Sequence, residues 1–528
     1  MLASGTFQGA WPSTKPDPWQ RCGAERRSPD SGLGWSMNQR WLFVSGLLLL
    51  AAASVITWAA LPSSPGKHPV LRWATDDNPE RISQVAHFEK WLRRHRYPRF
   101  AIRLDFVNND VTKDVIQGVS GDADDLMDVD FGSMDFMRQC GLLYNVAPAA
   151  RTMGFGPRHT YKIFGTYLVR HGKQYMFPTN AGTMLYWVNK ATFAKYHQPL
   201  PPRAWKFTEF QRRGLAFVRA GNSPARPQRV FFADTVDTRF MRRSLGLSVF
   251  NATLTRCMLN DPRYVAVLRL MYRWTFADHL LPTPAQQASF TTREGYGGSV
   301  PQLFNAGCFG LYYMGRWALI QFRKFYRTSG PMALAVSDPP YGQFPNAVMT
   351  VRGTAIYIGS PHKQLAEYFL AYLASRNYNM QIVRDGDAEP PCPVYAETRQ
   401  FLRPRRYPNE WGCSGAFAHA DRTIGIPEVQ SPFVLAATVS RIVRMQAEAG
   451  FMAGIYTARQ AARLAAKRIN RHIARNIRQS QRLRRLYEKL LGRQKLIDRL
   501  RKAGRKIPLR LIGNPFYRRY YVARGWAR

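Results

Sequence analysis

The feature that most constrains this chain is an ordered alternation of strand and helix signals beginning near residue 70. "VLRWATDD" is an apolar strand pattern running out into polar residues, and "NPERISQVAHFEKWLRRH" follows with a helix start at Asn78 and Pro79. In that helix Ile82, Val85, Phe88, Trp91 and Leu92 recur at helical spacing. "FAIRLDFV" alternates as a second strand and leads into a helical stretch near Val111 to Val119. "DDLMDVDFGSMDFMRQCGLL" then reads as a short strand ending at Asp130, a Gly-Ser turn and another helix. The β-α-β-α order predicts an open α/β sheet. Ligands bind such sheets beyond the carboxyl ends of the strands, which here means Thr75, Asp76 and Asp77, and the turn from Asp130 to Ser133.

The rest of the chain continues in the same style. "YMFPTNAGTMLYWVNKATFAKY" mixes strand and helix signals, and "PLPPRAWKFTEFQRRGLAFV" is a proline-bounded entry to a helix starting around Thr208. "NAVMTVRGTAIYIG" returns to strand pattern before "PHKQLAEYFLAYLASRNYNMQIV", a helix in which Leu365, Phe369, Leu370 and Leu373 share a face. A strand and helix of the first type so late in the chain imply that it crosses between lobes more than once. At 528 residues one ordinary core is exceeded, and two lobes of roughly 150 to 200 residues each are expected.

The formal net charge of +42 suits nucleic acid, anionic lipid or another acidic surface as partner. From Arg441 onward 25 Lys and Arg stand against 3 acids, so about half of the excess lies in the last sixth of the chain. There "ARQAARLAAKRINRHIARNIRQSQRLRRLYEKLLGRQKLIDRL" reads as a long basic helix or helix pair, with an apolar stripe through Ile469, Ile473, Ile477, Leu483, Leu486, Leu490 and Leu491. Two readings stay open for the tail: a helical extension packed on a lobe with solvated arginines, or adhesion to an anionic membrane. In the second, Phe516, Tyr517, Tyr520, Tyr521 and Trp526 make the interfacial contact.

Near the start, Trp41 to Leu61 holds 21 residues without a charge, enough at about 1.5 Å per residue to cross a hydrocarbon core of about 30 Å. With Arg40 ahead of it and Met37 opening "MNQRW", residues 37–62 read as a signal peptide or signal-anchor helix. Residues 1–36 are then an unstructured tail or a start-site artefact, and residues 63–70 a linker. Arg21, Arg26, Arg27 and Arg40 keep the leading side in the cytoplasm and export the remainder. An exported domain is not expected to meet nucleic acid.

Six cysteines form no CxxC pair, so no zinc site is expected. Cys392 and Cys413 are either free thiols or a disulfide closing a loop of about 20 residues, worth about 3 kcal/mol. No HExxH, P-loop or GxGxxG motif is present, and "GCSGA" at Gly412 to Ala416 misses the nucleophile-elbow spacing. Neither a reaction nor a cofactor is expected. The acids Asp122, Asp124, Asp125, Asp128 and Asp130 cannot all converge, because side chains alternate along a strand; one or two of them suit the hydroxyls of a ligand. Aromatic residues make up 13% of the chain, and tryptophan near carboxylates suits sugars, whose C–H faces stack while their hydroxyls bond.

Five segments in order carry a resemblance to a known family. They are "FEKWLR", "DLMDVDFGSMDFMRQCGLL", "FPTNAGTMLYWVNKATFAKY" with "PPRAWKFTEF", "FNAGCFGLYYMGRWAL", and "GTAIYIGSPHKQLAEYFLAYLAS". From about Leu71 to about Gln479 the chain resembles the bacterial family 1 extracellular solute-binding proteins of ABC transporters, the maltose-binding-protein-like group. The resemblance implies an α/β, two-lobed periplasmic-binding-protein fold of type II. Lobe I would comprise 71–180 and 350–395, lobe II 181–349 and 396–479, and 480–528 would be a basic helical extension. It places Thr75, Asp76, Asp77, Asp130 and Ser133 at an interlobe cleft, the crossover near Asn180 to Tyr186 with Tyr186 as a contact, and a sugar-stacking Trp317 after a glycine turn. Arg316 stands where the family carries proline, which points to an acidic sugar or phosphorylated polyol. The implied function is that of a monomeric, extracytoplasmic substrate-binding component of an ABC importer that hands a sugar, oligosaccharide or polyol to a membrane permease. Two alternatives are a membrane-tethered sensor without a permease and an exported carbohydrate-active enzyme. The enzyme would need two carboxylates across the cleft at glycosidase separation.

Overall fold

Leu71 and Trp73 are buried while Val70 and Arg72 are exposed along β1 (Val70–Ala74), the period-2 alternation of a strand laid on a core. The structure is a computed structural model that describes residues 45, 49–50, 52, 68–106, 111–223, 230–290 and 298–528. The chain divides into two compact units, 1–67 and 68–528. In the first, the described residues Ser45, Leu49, Leu50 and Ala52 are helical. The rest of the Trp41 to Leu61 segment, like Cys22, lies outside the described residues. Among the described residues no helix is long and apolar enough to cross a membrane.

In the second unit β1 is followed by α1 (Glu80–Arg94), β2 (Ala101–Asp105), α2 (Val111–Ser120), β3 (Leu126–Asp130), α3 (Phe131–Gln139) and the long β4 (Met176–Thr183). Next come β5 (Leu185–Asn189), α4 (Phe207–Gly221), β6 (Phe231–Ala233), α5 (Thr238–Ser244), β7 (Phe309–Met314), α6 (Leu319–Thr328) and β8 (Leu334–Ser337). The chain returns through β9 (Ala347–Ile356), α7 (Lys363–Ala374) and α8 (Arg376–Asp385), then α9 (Cys413–Thr423) and β10 (Gly425–Pro427). It closes with α10 (Ala458–Gln479), α11 (Gln481–Lys502) and α12 (Pro515–Ala523).

The strands form two main sheets. One has the order β10-β9-β3-β1-β2, with β4 also paired to β9, and the other has the order β8-β5-β7-β6. In the first, β1 runs parallel to β2 and β3 while β9 is antiparallel to β3 and β4. Both faces of each sheet are covered. Trp73, Phe88, Leu126 and Phe369 belong to one core of the first sheet, and Met127, Val129, Met134 and Val351 to the other. On the second sheet, β5 sends Leu185 and Trp187 to one core and Tyr186 and Val188 to the opposite one. Two strands tie the sheets together: Met184 alone separates β4 from β5, and β9 begins among second-sheet cores at Ala347 and Val348 and continues into a first-sheet core from Met349.

Local readings of the sequence needed three adjustments. The buried face of α1 includes Arg81 and Gln84, whereas Ile82 is 65% exposed, because Arg81 turns inward to meet Asp76 and Asp387. Gly132 and Ser133 are not a turn but the first turn of α3, which Asp130 caps by accepting from the Ser133 N–H. The predicted helix after Pro361 breaks into α7 and α8 at Ser375, whose hydroxyl caps the second by accepting from Tyr378 N–H at 3.3 Å.

The tail is a correction to the membrane reading. Phe516, Tyr517, Tyr520 and Tyr521 are buried in the largest core, together with Leu483, Ile497, Ile507 and Ile512. Asn514 Nδ2 donates to Ser248 Oγ, Phe250 O and Asn251 O at 3.0, 2.9 and 3.2 Å. Of the five aromatics named for the interface, only Trp526 is exposed, at 37%, with the Arg501 guanidinium 4.7 Å from its ring centre.

Candidate functional site

The parallel strands β6 and β7 end in Ala233 and Met314, and beyond their carboxyl ends lies a cavity of about 890 Å³. Its walls come from Met184 at the crossing, the segment from Asp234 into α5, the end of β7, and Glu428 to Gln430 after β10. Asp234 accepts from Tyr313 N–H at 2.8 Å, and burial pushes its carboxyl up to about 8. Asp237 caps α5 by accepting from Arg239 N–H at 2.7 Å. Burial pushes its carboxyl up, but the Arg239 guanidinium outweighs that and holds it below the usual range. Arg239 thereby bridges two acids, with Nη2 2.7 Å from Asp237 and Nη1 3.2 Å from Glu428. Three buried polar atoms on the wall have no partner among the described residues: the Tyr313 hydroxyl, Arg242 Nε and Gln430 Oε1. The residues that carry these atoms line the cavity together with Met184, Met314 and Phe276, a mixture of polar and apolar side chains that suits a ligand with hydroxyls and apolar faces.

Asp234 makes stability depend on pH in a defined sense. A folded-state value of about 8 means that the native protein holds this proton more tightly than the unfolded chain, whose Asp titrates near 4. Its contribution is therefore fully present below about pH 4 and is lost as pH rises towards 8. Asp234→Asn keeps an acceptor for Tyr313 N–H and removes the titration. The variant is expected to be more stable than the parent at pH 8 by about 1–2 kcal/mol. Urea unfolding at pH 5 and pH 8 checks this, and the same pH slope in both proteins would contradict it.

The end of β3 lies behind Glu428 and Gln430 and does not itself line the cavity. Asp130 accepts from Ser133 N–H at 2.9 Å and from its hydroxyl at 2.8 Å, while burial and the facing Glu428 raise its carboxyl. The Gln430 side chain lies against Gly132 so closely that no Cβ fits there. Asp130 is half-buried and keeps acceptor capacity, whereas Ser133 is fully buried with its hydroxyl committed to Asp130.

The other predicted contacts are distributed differently. Thr75 is buried and donates to Asp128 Oδ2 at 2.6 Å. Asp76 pairs with Arg81 at 2.8 Å and Arg352 at 2.6 Å; burial pushes its carboxyl up, but the two guanidiniums hold it far below the usual range. Both side chains are committed to an internal network, while Asp77 is exposed. Tyr186 is fully buried between Phe210, Phe240 and Tyr313 and donates to Thr235 O at 2.9 Å, because strand alternation turns it into the core. Cys392 and Cys413 are free thiols that belong to different cores, one beside the first sheet and one beside the second.

Gly315, Arg316 and Trp317 form the entry to α6, through the 3₁₀ turn Arg316–Ala318. Trp317 is half-buried, and its ring packs on Gly182 of β4, where a Cβ would come within 2.6 Å of Cζ3, and on Gly315, where a Cβ would overlap the ring. It stands at the strand that crosses between the sheets and is not among the residues lining the cavity. Arg316 is not a ligand-facing group. It is 1% exposed, donates from Nε to Ser414 Oγ at 2.9 Å, from Nη1 to Ala388 O at 2.5 Å and from Nη2 to Val383 O at 3.3 Å, and lies 4.4 Å from the Phe401 ring centre. Beside it Glu389 is fully buried with neither carboxylate oxygen bonded, and Asp421 accepts from the Thr183 hydroxyl. Burial drives both carboxyls up, Asp421 to about 7.

Sequence reasoning missed Asp234, Arg239, Glu428 and Gln430. Asp234 carried a usable signal, since "VFFADTVD" is an apolar strand ending in acids, the pattern already read at Asp77 and Asp130. No local pattern distinguishes Glu428 or Gln430.

A family model described as bacterial extracellular solute-binding protein matches residues 95–380. No curated protein matches the chain by sequence. Among solved structures, the chain is similar to an ABC substrate-binding protein of Listeria monocytogenes in complex with cycloalternan. That match has 16% identity and a TM-score of 0.64 over 77% of this chain and 100% of the other. It is also similar to the GacH receptor of Streptomyces glaucescens, solved unliganded and with acarbose, at 14% identity and TM-score 0.62 over 77% and 99% of the two chains. A solute-binding protein of Agrobacterium vitis with bound D-mannitol matches at 15% identity and TM-score 0.60 over 77% and 99%. These likenesses show a common two-lobed fold.

Proposed function

The chain belongs to the family of bacterial extracellular solute-binding proteins, and from that premise we propose that it binds a carbohydrate or related polyol between its two lobes and delivers it to an ABC permease. The observation that carries this reading is the cavity beyond β6 and β7, whose lining combines Tyr313, Arg242 and Gln430 with apolar Met184, Met314 and Phe276. Sugar hydroxyls satisfy such groups and C–H faces suit the thioethers and rings. The ligands in the similar structures, cycloalternan, acarbose and D-mannitol, support the same class.

The first lobe offers Asp130 as an acceptor and Asp77 as an exposed acid. Trp317, half-buried on Gly182 and Gly315, is the stacking surface in this reading. The second lobe offers Arg239, Glu428 and Gln430. Because contacts from both lobes are complete only when the lobes are together, a ligand there shifts the population towards closure. The protein is a binding protein rather than an enzyme in this reading. Residues 41–61 hold it at the outer face of the inner membrane, supported by their 21 uncharged residues.

Calorimetric titration of the full chain with linear and cyclic maltodextrins, ketohexoses and hexitols tests the reading. Saturable one-to-one binding of at least one of them is expected, and no heat from any would overturn it.

A further inference from the structure

A second cavity, of about 1030 Å³, shares no lining residue with the first. It forms where α6, α8 and the segment 399–407 meet, with Glu80 of α1 at its edge. Lys324 and Arg327 reach it from α6, Arg384 from α8, and Arg403, Arg405 and Arg406 from the following segment. None of these six cations has a carboxylate within ion-pair distance among the described residues, whereas Arg323 beside them is bound to Glu410 through two bonds of 2.8 and 2.7 Å. The cavity also holds two acids, Glu80 and Asp385, on which Lys324 and Arg384 act respectively in the direction that favours the carboxylate. Burial and the neighbouring Glu80 push Asp385 up to about 7, and burial with Asp387 raises Glu80.

The cationic segment is held in place rather than trailing in solvent. Trp411 Nε1 and Tyr407 N–H both donate to Pro404 O, each at 3.1 Å, and the Tyr407 ring lies 4.2 Å from the Arg323 guanidinium and 5.7 Å from that of Arg406. These six cations and Arg399, none in an ion pair among the described residues, crowd one concave volume and repel each other, and a compact anion of several charges relieves that repulsion while taking several charge-assisted bonds. Guanidinium groups match phosphoryl oxygens in geometry, and the volume is at the upper end of small-molecule sites.

We propose that this cavity is a binding site for a multiply phosphorylated anion, either a free small molecule or the headgroup of an anionic lipid. It is independent of the sugar cleft, so either reading can fail without the other. The test measures binding of tripolyphosphate, and of cardiolipin vesicles (two phosphates per headgroup) over and above binding to neutral phosphatidylcholine vesicles, which reports residues 41–61 alone, to the full chain in detergent-free buffer at constant ionic strength set with chloride. Two cavity variants, Arg403→Ser/Arg405→Ser/Arg406→Ser and Lys324→Gln/Arg327→Gln, are compared with Arg484→Ser/Arg485→Ser/Lys489→Ser, which removes three charges from the exposed face of α11. The two cavity variants guard against one failing to fold. Binding is expected to weaken at least tenfold in the cavity variants and less than twofold in the α11 variant. Tripolyphosphate binding with this pattern identifies a free anion, and vesicle binding alone with this pattern identifies a lipid headgroup. Equal weakening in the α11 variant, no weakening in the cavity variants, or no binding of either probe would overturn the proposal.

Discussion

Truncation after Gln479 is expected to destroy the second lobe rather than trim a charged tail. The deleted stretch buries Leu483, Ile497, Ile507, Ile512, Phe516, Tyr517, Tyr520 and Tyr521 in the core that also holds Tyr186, Phe210, Phe232 and Trp274. At roughly 1.5–3 kcal/mol for each large apolar side chain, their removal exceeds 10 kcal/mol, comparable with the whole stability of an ordinary domain. Asn514 would also leave Ser248, Phe250 and Asn251 without the three bonds it now donates. The expected result is a protein that aggregates or shows no cooperative transition for this lobe in thermal unfolding. A truncated protein that melts within a few degrees of the parent would show that the tail is only a surface extension.

Arg316→Leu is expected to lower stability by about 3–5 kcal/mol, the range for breaking a buried charged arrangement on one side. The leucine fills part of the volume but leaves the carbonyls of Ala388 and Val383 and the Ser414 hydroxyl without their donor. It also removes a cation that opposes the proton uptake of Glu389. Burial and the neighbouring Arg323 pull the guanidinium down to about 10, so it remains charged at neutral pH and its bonds are charge-assisted. Thermal unfolding checks the loss. If Arg316 instead selected an acidic ligand, the variant would keep its melting temperature and change only its ligand preference.

These two corrections show which parts of the molecule a sequence exposes. The first-sheet strands and helices were legible because periods of 2 and 3.6 separate cleanly in "VLRWATDD", "FAIRLDFV" and the segment around Phe88. The strand ends at Asp130 and Asp77 followed from the same pattern. Face assignment failed at Tyr186, where both faces of β5 are buried and alternation carries no inside or outside. Arg316 read as ordinary charge because its partners Val383, Ala388 and Ser414 lie 67, 72 and 98 residues away. Asp76 was lost to Arg352 for the same reason. In the tail, aromatics interleaved with arginine fit both a membrane interface and a core-packed helix. The spacing of Phe516, Tyr517, Tyr520 and Tyr521, a single helical face, was the signal that favoured packing. Glu428 and Gln430 belong to the site only through the fold that brings β10 to the crossing.

The central claim, that a hydroxylated ligand is bound between the lobes with one end in the cavity beyond β6 and β7 and the other stacked on Trp317 outside its wall, is tested most directly by titrating the parent and Trp317→Ala in parallel. The titrants are maltodextrins, ketohexoses and hexitols, with tryptophan fluorescence as the readout. The expected result is a saturable change in the parent and an affinity at least tenfold weaker in the variant, a loss of about 1.4 kcal/mol or more. An unchanged affinity in Trp317→Ala, or no response of the parent to any of these ligands, would contradict it.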